Sequence, residues 1–162
     1  MGLAAAFWIM AVVMVASALA VLFLRNVFRA ALALILCFIA VAGIYITLSA
    51  DFLAAVQILV YVGAISVLII LAIMMTREVQ QGNPVNKLEI PAAVVAVVLL
   101  GIMVYAVTNT PWSISAQAPL SPTTVPLATR LFSEHGFILP VEIGATLLLA
   151  AILGAIVITR EK

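Results

Sequence analysis

The 162-residue chain is 67% hydrophobic and 8% charged, with a net charge of +1 and a mean hydropathy of +1.40. A water-soluble domain of this length cannot hide so much apolar surface, so the solvent around it is lipid. The near-neutral charge carries no nucleic-acid or acidic-substrate signal, the single Cys37 precludes a disulfide framework, and no Cys/His cluster, phosphate-binding loop or nucleophile motif is present; a hydrolase, redox or metal centre needs convergent polar groups that this chain lacks.

Five apolar segments follow in order, about 3–24, 28–49, 52–76, 91–108 and 137–159, each near the roughly 20 residues that a helix needs to span hydrocarbon. They predict an all-α integral membrane protein, a bundle of five transmembrane helices forming a single membrane domain over 1–162. The first segment contains Ala16-Ser17-Ala18, which has the small-x-small look of a signal-peptidase site. No positive stretch precedes it and the apolar run continues to Leu24, so we expect no cleavage there. Met1-Gly2-Leu3-Ala4-Ala5-Ala6 likewise lacks the Ser or Thr of a myristoylation signal.

The first link, Arg25 to Arg29, is short enough to force the first two helices into antiparallel contact. Ser49-Ala50-Asp51 is equally tight, and the third link carries the turn signature Gly82-Asn83-Pro84. Pro91 suits the first turn of the fourth helix. The fourth link, about 109–136, holds Pro111, Pro119, Pro122 and Pro126 among Ser and Thr, and reads as an extended surface loop. Its His135 is the only histidine.

Alternate links share a membrane side. Arg25, Arg29, Arg77, Lys87, Arg160 and Lys162 then fall together, and Arg130 lies opposite. The positive-inside rule places the N-terminus outside and the C-terminus in the cytoplasm. Trp8, Tyr45, Tyr105 and Trp112 fall near the predicted outer face, as interfacial anchors do. No internal repeat is visible, which speaks against an independent small transporter built from paired halves.

Ionisable groups inside the membrane are the default functional signal, because burying them costs several kcal/mol. Here only Asp51, at the outer end of the third segment, and Glu142, near the outer end of the fifth, qualify. Glu142 has two readings: a helix-start carboxylate beside the positive dipole end, or a proton-relay group or ion-pair partner for another subunit. The third segment, DFLAAVQILVYVGAISVLIILAIMMT, interrupts its apolar run with Gln57, Tyr61, Gly63 and Ser66. Gln57 and Tyr61 are four apart and share a helix face, while Gly63-Ala64 allows close backbone approach or cheap deformation. These residues either pack helix on helix or mark a span whose winding changes. In the fifth segment, Ala150 with Gly154 and Ala151 with Ala155 are spaced for a helix–helix contact. Cys37 and the methionines read as apolar fillers.

The run DFLAAVQILVYVGAI followed by VLIILAIMM resembles the third helix of subunit J of NADH-quinone oxidoreductase, the bacterial counterpart of mitochondrial complex I subunit 6. ILPVEIGATLLLAAILGAIVITR is similar to that family's last helix, and Arg25-Asn26 through ALALIL to the start of its second. Val141 departs from the pattern, which has phenylalanine before the glutamate. The resemblance covers most of the chain, apart from the long fourth link. It implies a non-catalytic membrane-arm subunit of a proton-pumping NADH (or related donor):quinone oxidoreductase, a respiratory-chain translocase in the cell inner membrane. It further implies that FMN, iron–sulfur clusters and quinone are held by other subunits, with none in this chain. The implied neighbours, within the lipid bilayer, are the H-type subunit of the quinone chamber, the small K-type subunit, the A-type subunit and the antiporter-like N-type subunit. The family's third helix switches between α and π winding around positions matching Tyr61, Val62, Gly63 and Ala64, gating a water path. A purely structural assembly role is the alternative.

Overall fold

The computed structural model describes residues 2–76, 89–112, 122–133 and 136–160. The predicted turn at Gly82-Asn83-Pro84, with Arg77, Lys87, His135 and Lys162, lies outside them. The described residues are all helical or irregular: α1 (Gly2–Phe23), α2 (Val27–Thr47), α3 (Asp51–Val56), a π-helical segment π1 (Gln57–Ile65), α4 (Ser66–Met75), α5 (Glu89–Asn109), α6 (Thr124–Phe132) and α7 (Ile138–Thr159). Joined end to end, α3, π1 and α4 make one continuous rod, Asp51–Met75. With α1, α2, α5 and α7 it gives five helices long and apolar enough to cross a membrane. Their ends lie within two residues of the predicted ones.

The first two links work as their lengths require. Asn26 caps α2, its side-chain oxygen accepting the Arg29 N–H at 3.1 Å and satisfying a donor that the first turn leaves free. At the far end, the Ala50 N–H returns to the Tyr45 carbonyl and the Ser49 N–H to Ile46, at 2.9 and 3.1 Å. These two bonds form a Schellman ending, with Ser49 in the left-handed region at φ 58°. The chain thereby reverses in three residues.

Helix α2 is the hub. It packs against α1 on one side and against α3, π1 and α4 on the other. The seams are made of small residues: Ala31, Ala40 and Ala42 of α2, Ser17 of α1 and Ala54 of α3 are all buried. Lipid tails are as apolar as leucine, so close van der Waals approach of backbones drives such contacts. The Ser17 hydroxyl satisfies itself on the Val13 and Met14 carbonyls of its own helix, and Cys37 reaches the Met14 carbonyl across the seam at 3.7 Å. Gly43 lies at a close approach of α1, since a Cβ there would stand 2.9 Å from the Met10 sulfur.

Two expectations are corrected. Of the five predicted spans, three pack together among the described residues, where α5 and α7 bury no residue. The Ala150/Gly154 and Ala151/Ala155 pairs accordingly meet no helix of this chain among the described residues, and a Cβ on Gly154 would meet open space. Second, the long fourth link is not wholly extended. Residues Thr124–Phe132 form α6, where Pro126 sits in the first turn and needs no N–H. Its half-buried Pro126, Leu127 and Leu131 face Ala50, Phe52 and Leu53 across a groove. Gly136 then permits a sharp corner into α7: the Phe137 N–H bonds the Arg130 carbonyl at 3.1 Å, and a Cβ on Gly136 would collide with that carbonyl.

Gly43→Leu forces α1 and α2 apart and lowers stability by about 1–3 kcal/mol, the usual cost of overpacking. Adding Met10→Ala recovers part of the loss. Thermal unfolding of the protein in lipid nanodiscs reads both effects.

Candidate functional site

The third span changes winding where the sequence departs from plain aliphatic residues. Over Gln57–Ile65 the backbone is π-helical, entered and left through ordinary helical dihedrals at Val56 (φ −62°, ψ −42°) and Ser66 (φ −63°, ψ −40°). This run contains Gln57, Tyr61, Val62, Gly63 and Ala64 together. In π winding each N–H reaches the carbonyl five residues back; the Ser66 N–H accordingly bonds to the Tyr61 carbonyl. The rod therefore crosses apolar surroundings with its backbone paired while carrying a wider turn.

Gln57 and Tyr61 share one face, as their spacing requires, and that face meets Phe38 of α2. The Gln57 amide is buried and donates to the Phe38 carbonyl at 3.5 Å, the long end of hydrogen-bonding range. Tyr61 sets its ring edge-on to the Phe38 ring, with centroids 5.5 Å apart and planes at 71°, a favoured aromatic geometry. The rest of Tyr61 stays open, at 42% exposure. The buried Gln57 thus anchors π1 to α2, and Tyr61 lies at the margin of that contact.

Gly63 and Ala64 face away from the chain's own helices, and Val62 is half-buried. A Cβ on Gly63 would sit 3.5 Å from the Ile58 carbonyl, an ordinary contact, so π winding does not itself demand glycine here. The close-approach reading of Gly63-Ala64 therefore finds no partner within the described residues. Both residues fall within the π-wound run.

The carboxylates are apart from this site. Asp51 opens α3, and its Oδ2 accepts the Thr123 N–H at 3.4 Å, while the Thr123 hydroxyl oxygen accepts the Phe52 N–H at 3.4 Å. Ala50 provides no side-chain cap, so Thr123 caps α3 from the distant link. Glu142 is the fifth residue of α7, beyond its first turn, which weakens the helix-start reading. It is exposed on a face shared with Leu139, Ile143, Thr146 and Leu147. One further site residue carried little advance signal, and another was marked without its partner. Phe38 is one aromatic in an apolar run, and Ser66, though polar at mid-span, has a bonding partner that only the winding defines.

Comparison with known proteins gives a consistent result. The family model described as NADH-ubiquinone/plastoquinone oxidoreductase chain 6 matches residues 17–158. A relative from Leptolyngbya boryana, "NAD(P)H-quinone oxidoreductase chain 6", is 40% identical over 96% of this chain and 79% of its own. "F(420)H(2) dehydrogenase subunit J" of Methanosarcina mazei is 36% identical over 98% of this chain and 91% of its own. The Synechocystis chain 6 is 38% identical over 96% and 79%.

A double-mutant cycle on Phe38→Leu and Tyr61→Leu, read by unfolding in mixed micelles, shows a coupling energy of about 0.5–1.5 kcal/mol, the range for such aromatic pairs. Additive losses would refute the contact.

Proposed function

We propose, from the premise that the chain belongs to the NADH-ubiquinone/plastoquinone oxidoreductase chain 6 family, that it is a non-catalytic membrane-arm subunit of a proton-pumping quinone oxidoreductase. Its third span gates the path that couples quinone reduction to pumping. The observation that carries this reading is π winding over Gln57–Ile65 in the middle of a membrane span. Returning one residue of winding to α rotates one half of the rod against the other by roughly 100°. Such a rotation swings Tyr61 off Phe38 and presents an aliphatic side chain where a polar one stood. A water chain beside that face is made or broken by the exchange. Gln57, buried on α2, is the fixed point, and Gly63-Ala64 the compliant one.

Flavin, iron–sulfur clusters and quinone belong to other subunits in this reading. The uncovered apolar faces of α5 and α7 support a chain that completes its packing against neighbours and lipid. The proposed neighbours are the H-type, K-type, A-type and N-type subunits, in a cell inner membrane. Glu142, a carboxylate on a mainly apolar face of α7, suits an ion pair or proton relay with one of them. The N-terminus lies outside and the C-terminus in the cytoplasm, a reading supported by Arg25 and Arg29 in the link between the first two spans.

Two outcomes are expected. Gentle detergent extraction of the tagged chain recovers iron–sulfur and antiporter-like subunits with it; a monodisperse lone protein that transports by itself would overturn the assignment. Gly63→Val fits the wound segment and leaves assembly intact, but biases its winding by about 0.5–1 kcal/mol, two- to fivefold. Pumping or turnover falls accordingly, and full activity in this variant reduces the protein to a purely structural assembly role.

A further inference from the structure

The partner of each helical donor records the local winding, four residues back in α and five back in π. At the end of π1 the Ser66 N–H bonds to the Tyr61 carbonyl. The Ser66 hydroxyl donates to that same oxygen at 2.7 Å, and the residue is 2% exposed, so no solvent competes. Other helical hydroxyls in this chain choose differently. Ser17 donates to Val13 and Met14, Thr108 to Val104 and Tyr105, Thr146 to Glu142 and Thr159 to Ala155 and Ile156. All of these reach three or four residues back. Ser66 alone among the described helical hydroxyls reaches five.

We infer that Ser66 is a positioning residue for the third span: its hydroxyl, as second donor to the Tyr61 carbonyl, holds π1 in the π register against the α register. In the α register the Tyr61 carbonyl belongs to the Ile65 N–H. The Ser66 hydroxyl then falls back on Val62, the partner its counterparts elsewhere use. That back-bond slightly weakens and bends an α-helix, and serine is itself a poorer α-former than alanine. Both differences favour the π form when the hydroxyl is present. A carbonyl has two lone pairs, so the second bond displaces nothing. The inference rests on the two-winding reading of the third span given above.

Single-particle structures of the assembled complex carrying Ser66, Ser66→Ala or Ser66→Thr, at rest and during turnover, test it. The quantity read is the ratio of α-wound to π-wound particles over 57–65. Ser66→Ala raises that ratio about two- to fivefold, the effect of removing a back-bond that weakens the α form and of a better helix former. Ser66→Thr, which keeps the hydroxyl, leaves it near the unsubstituted value. Equal ratios in all three complexes, or equal shifts for Ala and Thr, overturn the latch and leave the two windings standing. Absence of α-wound particles from every complex under both conditions overturns latch and two-winding reading together.

Discussion

Inside a bilayer no water is available to pair a stray N–H or carbonyl, so each backbone group of a span must find its partner within the span. This constraint shapes everything else in the molecule. It explains why all five spans are helical, and why the helix hydroxyls turn back onto carbonyls of their own helix. It also explains how the third span can depart from α geometry at all. A π stretch re-pairs its donors one carbonyl further back instead of abandoning them. The irregularity changes which side chains face which way without leaving the backbone unpaired.

Such a change of facing is useful only if one end of the segment is held. Helix α2 does the holding, with small residues at its seams and Phe38 under both Gln57 and Tyr61. Polar groups inside this packed unit are satisfied at short range: Ser17 on its own helix, Gln57 across one seam, Ser66 on Tyr61. Among the described residues no large side chain is fully buried. Cohesion comes from backbones brought close together, as befits packing in a lipid solvent. The spans α5 and α7 lie outside that unit, with apolar surface that lipid or neighbouring subunits cover without penalty.

The link between the fourth and fifth spans connects these two parts. Its short helix α6 lies over the start of the third span; across more than seventy residues of sequence the Asp51 carboxylate accepts the Thr123 N–H and the Thr123 hydroxyl oxygen accepts the Phe52 N–H. Thr123 supplies the cap that Ala50 cannot. A carboxylate that looked like a candidate proton-handling group thus has a structural task as well: it seats the link on the end of the span that carries the π segment.

Much was legible in the amino-acid sequence by itself. Hydropathy and length determined the five spans, and the chain's polar interruptions marked residues 57–66 as the place where the third span departs from an anchor. These properties are local: a run of apolar side chains decides for lipid wherever it is packed, and a four-residue spacing fixes a shared helix face. Tertiary structure decided the rest. Four prolines in the fourth link argued for extended chain, yet α6 forms with Pro126 in its first turn and with Leu127 and Leu131 half-buried across a groove from the third span. Five apolar segments suggested one bundle, yet apolar composition cannot say whether a face meets lipid, a sister helix or another chain. The roles of Phe38 and Ser66 stayed hidden for a related reason. A ring in an apolar run, or a hydroxyl in a helix, acquires its partner only when the neighbouring helix is in place and the winding is set.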